Sequence, residues 1–169
     1  MKPELMKRML KDGFEVGLHY ETLATVIREQ GITAKEQVTE SVLDVCRVRL
    51  QGEIREFRER IGGMVSICSH GARGNRMIGI PNYTIVHEQF KTDNGISFET
   101  YDAALRDRIT TYISDSSINQ GHAWRYGKSP VQAFEDGDPV ILFLTHPEHW
   151  NYDFCSNLRK LWLSFKDRN

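Results

Sequence analysis

Apolar and polar positions alternate along the chain with two periods, one typical of strands and one typical of helices. Short apolar or β-branched runs predict strands at residues 14–18, 64–68, 96–98, 109–113 and 140–144. Apolar positions at helical spacing predict helices at residues 2–11, 21–30, 34–61, 82–90, 101–108, 130–135 and 154–165. Residues 72–81 and 119–128 have the composition of loops. Because helices and strands alternate throughout, the pattern predicts an α/β fold with a parallel sheet or barrel.

One apolar run, residues 140–144, is bounded by a Gly-Asp-Pro sequence before it and by His146-Pro147 after it. A short apolar run between turn signals predicts a fully buried parallel strand. Pro147 ends this strand, because proline has no backbone donor and restricts the residue before it. The strand therefore presents His146 at its carboxyl end, which is where α/β sheets and barrels place their chemistry.

Three other polar side chains, His19, His70 and Asp115, come at the ends of predicted strands. Imidazole nitrogens and carboxylate oxygens suit zinc and related divalent ions that keep an open position for water. Such an ion activates its bound water and polarises a carbonyl group, and a further histidine can protonate the leaving group. A single histidine is more often a structural residue. Three histidines in equivalent positions, His19, His70 and His146, favour a hydrolytic metal site.

The composition sets broad limits on the class of protein. A chain of 169 residues, 40% hydrophobic and 27% charged, is typical of one ordinary globular domain. The net charge of −1 gives no overall argument for binding nucleic acid. The three cysteines are widely spaced and form no zinc-ribbon pattern, which indicates a reducing compartment. With no leader sequence and no apolar run of about 18 residues, we expect a cytoplasmic protein without a membrane span.

Other catalytic chemistries fit the sequence less well. Ser69 and His70 are neighbours in the chain, which does not make a nucleophile–base pair, and no G-x-S-x-G turn is present. The glycine-rich stretch from Gly71 to Gly74 lacks the Lys-Ser/Thr of a phosphate-binding loop. Cys68 lies within a predicted strand and is expected in the core rather than as a nucleophile.

Four segments, in order along the chain, together resemble polysaccharide deacetylase-like proteins, and in particular a branch found in bacterial surface-polysaccharide biosynthesis. The segments are Gly17-Leu-His19-Tyr-Glu-Thr-Leu23, Ile67-Cys-Ser-His70-Gly71, Tyr112-Ile-Ser-Asp115 with Trp124 after it, and Leu144-Thr-His146-Pro-Glu-His-Trp150. The similarity runs from about residue 4 to residue 150. Each segment alone is a weak signal, whereas their order and spacing together are more specific.

The resemblance implies an incomplete or distorted (β/α) barrel and the metal-dependent deacetylation of an N- or O-acetylated carbohydrate, with Zn²⁺ as the expected metal. His19 matches the family's metal-binding histidine, and His146 matches the histidine that acts as general acid. Asp115 and Trp124 match the segment that orients this histidine and lines the sugar groove. His70 belongs to a segment characteristic of the branch, and we assign it a role in binding the metal or the substrate.

Substrate contacts are expected from Tyr20, Glu21, Trp124 and Trp150. The three aromatic side chains could stack on a sugar ring or could be partly buried structural residues. Glu21 lies within the segment that contains His19, and either Glu21 or Asp115 could replace a carboxylate that the family has and this chain lacks.

The sequence departs from the family pattern at two points. It contains no Asp-Asp pair, which in the family supplies the general base and one metal ligand, and Leu23 stands where a second metal histidine is expected. Met1 aligns with the middle of a family domain, so we expect residues 1–169 to form a single domain that is truncated at its N-terminus. Loss of the first strand would expose a sheet edge, and homodimerisation through that edge is then an expectation.

Two alternatives stay open on these residues. The first is a catalytically inactive relative that binds a glycan or a partner subunit. The second is an unrelated α/β hydrolase that uses a nucleophile other than histidine.

Overall fold

The computed structural model describes residues 2–116 and 124–146. The chain divides into two compact units, Met1–Arg106 and Asp107–Asn169. The predicted single domain over residues 1–169 stays a prediction. The predicted helix at residues 154–165, Trp150 and residues 119–123 of the predicted loop lie outside the described residues.

The first unit combines six helices with three short strands. In chain order these are α1 (Pro3–Lys11), β1 (Leu18–Tyr20), α2 (Thr22–Glu29), α3 (Glu40–Arg60), β2 (Ser66–Ser69), α4 (Arg73–Ile78), α5 (Glu88–Asp93), β3 (Phe98–Glu99) and α6 (Ala103–Arg106). Single 3-10 turns lie at Lys35–Gln37 and Asn82–Ile85.

The three strands form a parallel sheet in the order β1-β2-β3. Tyr20 is opposite Ser69, and Ile67 is opposite Glu99. Gly17 precedes β1 at a point where a Cβ atom would lie 2.8 Å from the backbone oxygen of Ser66. A side chain at position 17 would therefore push β1 away from β2.

The core of the first unit is formed by α2 and α3 packed with the strands. Leu23 of α2 and Leu50 of α3 are completely buried, and Ile67 of β2 is almost completely buried. The long helix α3 uses one apolar stripe for this purpose, which consists of Cys46, Leu50, Ile54 and Phe57. The charged face of α3 makes exposed ion pairs such as Arg60 with Glu56.

The second unit contains a parallel two-stranded sheet of β4 (Thr111–Ser114) and β5 (Ile141–Leu144), connected through α7 (Pro130–Glu135). The Ser129 hydroxyl accepts a hydrogen bond from the Gln132 backbone, and the Gln132 side chain accepts one from the Ser129 backbone. These reciprocal bonds, with Pro130 in the first turn, fix the start of the helix.

All five predicted strands are present, but each begins later than predicted. The predictions started at the first apolar residue of each run, and such residues need not be in the ladder. Met64 and Ile96, for example, are buried in the core ahead of β2 and β3. As a result, His19 lies within β1 rather than after it.

One loop prediction and two helix predictions were wrong in part. The helix predicted over residues 82–90 is divided, because His87 is extended and lies between the 3-10 turn and α5. Residues 72–81 were predicted as a loop, but they contain α4, whose Asn75 and Ile78 are buried. Gly79 ends this helix in the left-handed conformation (φ +71°), which is a usual role for glycine. The single helix predicted over residues 34–61 is interrupted, because Thr39 is extended and separates the 3-10 turn from α3.

The prediction that residues 140–144 form a fully buried strand was also wrong. The strand exists as β5, but Ile141, Leu142 and Phe143 are 36%, 37% and 45% exposed. Within the described residues β5 pairs only with β4, so it is an edge strand.

The predicted α/β class with parallel pairing is confirmed. The described strands form one three-stranded and one two-stranded sheet, and no closed barrel is present among them. No helix in residues 2–116 or 124–146 is long and apolar enough to cross a membrane.

Candidate functional site

In the first unit, the ends of β1 and β2 bring His19 and His70 together. His19 is opposite Cys68 in the parallel ladder, and the His70 backbone N–H extends the ladder by donating to the Tyr20 carbonyl (2.8 Å). The two imidazole rings meet edge to face, with their centroids 5.1 Å apart. Both residues are exposed, so the pair is accessible to a ligand from solvent.

Glu21 follows β1 directly and reaches the same pair. Its Oε2 lies 3.0 Å from Nδ1 of His70, and both side chains are partly exposed. A carboxylate on one ring nitrogen fixes the orientation of the ring and directs the other nitrogen, Nε2, to a ligand. Glu21 is therefore placed to support His70 as a ligand.

The donor types of this cluster fit a divalent transition metal, since the imidazole rings of two accessible histidines are in contact. Their number is smaller than a catalytic zinc site generally uses. Among the described residues, no group of three histidine, cysteine, aspartate or glutamate side chains is placed to hold one ion. His19 and His70 would thus supply two protein ligands.

Tyr20 does not occupy the position predicted for it. Strand β1 alternates its faces, so that His19 is exposed whereas the Tyr20 side chain is only 1% exposed. Burial, together with the nearby Glu99 carboxylate, raises the pKa of the Tyr20 hydroxyl. A side chain in the core cannot contact a substrate, so the predicted substrate contact of Tyr20 is wrong.

Glu99 was not predicted, although it is a buried carboxylate at the end of a parallel strand. It accepts hydrogen bonds from the backbone N–H groups of Ser69 and Tyr101. Burial raises the pKa of Glu99, and these two bonds act in the opposite direction. Its position at the end of β3 is the signal in the sequence, but the strand predicted at residues 96–98 ends one residue before Glu99.

A cleft of about 340 Å³ opens beside His70 in the first unit. Its walls include Arg76 of α4 and two tyrosines, Tyr83 and Tyr101, whose rings are stacked with centroids 5.6 Å apart. The sequence prediction missed these residues, because Arg76 was placed in a loop and Tyr101 in a helix with no role.

In the second unit, Asp115 and His146 follow the ends of β4 and β5. One carboxylate oxygen of Asp115 accepts from the backbone N–H of His146 (2.7 Å), and the other lies 2.6 Å from Nδ1 of the His146 ring. Asp115 is completely buried, whereas the His146 side chain is 36% exposed. The register of the sheet accounts for this meeting, because Ser114 is opposite Leu144 and the Asp115 N–H donates to the Leu144 carbonyl.

This arrangement fixes both the position and the tautomer of His146. A carboxylate that accepts from Nδ1–H places the proton of the neutral ring on Nδ1. The arrangement can therefore support general acid or general base catalysis by His146.

Trp124 lies next to β5 and is half-buried. Its ring centroid is 5.4 Å from that of Phe143, and Arg125 after it pairs with Ser114 at the end of β4. The predicted role of Trp124 in substrate binding stays a prediction, as does that of Glu21. The prediction for Trp150 lies outside the described residues.

The two cysteines of the first unit differ in burial: Cys46 is buried, whereas Cys68 is only partly buried and not in the core as predicted. Burial raises the pKa of Cys46 to about 11. Burial also raises the pKa of the half-buried Cys68. A raised pKa reduces the thiolate fraction at neutral pH, and the thiolate is the reactive form.

Comparison with protein-family models, with curated proteins and with solved structures found no match.

Proposed function

We propose that this protein is a hydrolase that removes acetyl groups from an N- or O-acetylated carbohydrate, with His146 as the group that transfers the proton. The observation that carries the proposal is the double contact of the buried Asp115 carboxylate with His146. It supplies an imidazole that a buried carboxylate holds in one orientation, which is what positioned proton transfer needs. The choice of acetylated carbohydrate rests on the resemblance of the four sequence segments, and so does the finer assignment to an incomplete deacetylase-type barrel.

The proposal gives the first unit the task of binding a divalent metal ion, with zinc as the expected metal. His19 and His70 would hold the ion, and Glu21 would orient His70 through Nδ1. When bound, such an ion polarises an acyl carbonyl and acidifies a water molecule. Proton transfer by His146 needs only the contacts of the second unit.

Acetate release from acetylated oligosaccharides by the purified protein tests the proposal. We expect His146→Ala to lower the rate by about 100-fold or more, since general acid–base catalysis contributes about 10²–10⁴-fold. His87→Asn is the matched control. His87 caps α5 through its side chain, and asparagine can keep that cap, so the rate should not change.

Metal dependence is tested separately by chelation and by measuring metal content. We expect a chelator to abolish acetate release and zinc to restore it, and we expect His19→Ala and His70→Ala to lower the bound metal. Acetate release that is unaffected by His146→Ala would contradict the proposal. Glycan binding without acetate release, unaffected by chelation, would favour the catalytically inactive alternative.

A further inference from the structure

The cleft beside His70 combines features that the proposed reaction does not use. It is lined by one arginine, Arg76, and by two stacked tyrosines, Tyr83 and Tyr101, and its lining contains no carboxylate among the described residues. Its volume of about 340 Å³ is at the small end for ligand pockets. These properties restrict both the size and the charge of a ligand.

The wall of the cleft next to His70 is held by buried polar contacts. Asn82, which is 1% exposed, accepts from the Ala24 backbone N–H (2.9 Å) and donates to the His70 carbonyl and to the Asn75 side chain. Asn75 in turn donates to the Ile80 carbonyl (2.8 Å). Because these buried amides are bonded on several sides, the wall is preorganised before any ligand binds.

The tyrosines provide a flat surface suited to a sugar ring. The axial C–H groups of a pyranose carry partial positive charge and are attracted to the negative face of an aromatic ring. Tyr83 and Tyr101 are stacked on each other with 24° between their ring planes, so each ring holds the other in place at the wall of the cleft. Tyr101 is 36% exposed, so part of the stacked pair is open to solvent.

Arg76 adds a requirement for negative charge. One of its terminal nitrogens, Nη1, donates to the Gly71 carbonyl (3.0 Å), which fixes the guanidinium at the cleft. The guanidinium has further N–H donors in a planar fork that matches a carboxylate. With no carboxylate in the lining to neutralise it, this group favours an anionic ligand.

We infer that this cleft is a subsite for a uronic acid unit of the glycan, with the sugar ring packed against the stacked tyrosines Tyr83 and Tyr101 and its carboxylate on Arg76. The assignment of the ligand as part of a glycan substrate rests on the proposed function. The subsite borders His70. The acidic sugar would therefore lie next to the sugar residue that is bound at the predicted metal ligands. The protein would then select acidic polysaccharides.

Calorimetric titration of the protein of residues 1–169 tests the subsite. The two probes are a tetrasaccharide of alternating glucuronic acid and N-acetylglucosamine, and a neutral tetramer of N-acetylglucosamine. The His146→Ala variant is used so that binding is measured without turnover. We expect the acidic probe to bind about 10-fold more tightly, which corresponds to one charge-assisted interaction.

Substitutions in the cleft should separate the two parts of the interaction. Arg76→Gln should abolish the preference for the acidic probe, whereas Arg55→Gln, the same charge change on the exposed face of α3, should keep it. Tyr83→Leu should weaken the binding of both probes by several fold, and Tyr83→Phe, which keeps the ring, should not. Circular dichroism of each variant checks that the fold is intact.

Equal binding of the two probes, binding of neither, or a preference that survives Arg76→Gln would overturn the subsite. The outcome is independent of the proposed reaction. A wild-type protein that releases no acetate from any substrate, but whose His146→Ala variant shows the expected binding pattern, would refute the reaction and retain the subsite.

Discussion

The two units each place a carboxylate next to a histidine at the end of a parallel strand, but they do so in different ways. In the second unit, Asp115 is completely buried and contacts both the backbone and the ring of His146. In the first unit, Glu21 is 38% exposed and contacts only the ring of His70, which is itself 49% exposed. A buried contact is screened less by water and constrains the ring more strongly than an exposed one.

The apolar packing around these two contacts is greater in the first unit, where the carboxylate is more exposed. The first unit has an extensive apolar core between α2, α3 and its sheet. The second unit has few buried apolar residues among those described, and the side chains of β5 are largely exposed. The comparison teaches that the rigidity of a site can come from a few buried polar contacts rather than from the amount of core around it.

The largest expected effect contrasts two leucines. Leu50→Ala removes a fully buried side chain from α3 and should lower the free energy of unfolding by about 2–5 kcal/mol. Leu142→Ala, at a position in β5 that is 37% exposed, should cost only about 1 kcal/mol. Urea denaturation of both variants measures the difference, and equal losses would contradict the contrast in packing.

The second prediction concerns the buried carboxylate. Asp115→Asn keeps the size of the side chain but removes the charge, and it can place an N–H group against Nδ1 of His146. We expect acetate release to fall by about 100-fold or more, because His146 then loses its fixed tautomer. The control is Asp107→Asn, an exposed position of the same unit. The ¹⁵N chemical shifts of the His146 ring should change in Asp115→Asn, which a loss of stability alone would not produce.

The third prediction concerns the exposed carboxylate. Glu21→Gln should weaken zinc binding by about 10-fold, because a residue that orients a metal-binding histidine contributes about 10–100-fold to metal affinity. Glu29→Gln, which removes a comparably exposed glutamate paired with Arg49, is the control. Competition with a chromophoric chelator measures the affinity. A loss as large in Glu29→Gln would show that the effect is general electrostatics.

The smallest expected effect is on the pH dependence of stability. Glu99 of the first unit and Asp138 of the second should change the stability with pH in opposite directions. Burial raises the pKa of Glu99 above its usual 4.5, so its contribution to stability is lost as the pH rises through that raised pKa. Hydrogen bonds from Lys128 and Thr111 lower the pKa of Asp138 below its usual 3.8, so its contribution is lost as the pH falls through the lowered value.

Denaturation of the wild type and two variants between about pH 3 and about pH 7 tests these signs. We expect Glu99→Gln to remove the loss of stability on the upper side and Asp138→Asn to remove the loss on the acid side. The first sign is contradicted if the wild type, compared with Glu99→Gln, gains stability as the pH rises above 4.5.

The sequence was most informative where a local pattern and a single interaction decide the structure. The helical turn predicted over residues 130–135 has the same bounds as α7. The order of strands and helices predicted the α/β class and parallel pairing. The positions of Asp115 and His146 after predicted strands were enough to select them as candidates.

Tertiary structure decided what local patterns could not. An apolar run such as residues 140–144 has the same sequence whether its surroundings cover it or leave it exposed, so its burial depends on its neighbours in space. His19 and Tyr20 are adjacent in sequence and point to opposite faces of β1. Only the packing of the strand shows that Tyr20 faces the core and His19 the surface. Glu99 and Asn82 acquire their contacts through pairings between distant segments, which no single segment encodes.

The sequence by itself thus determined the fold class, most of the elements and the candidate histidines, because periodicity and capping are local properties. The tertiary structure decided which carboxylate supports each histidine, which side chains are buried and where the cleft lies. Those properties depend on the register between strands, and register is set by the packing of the whole unit.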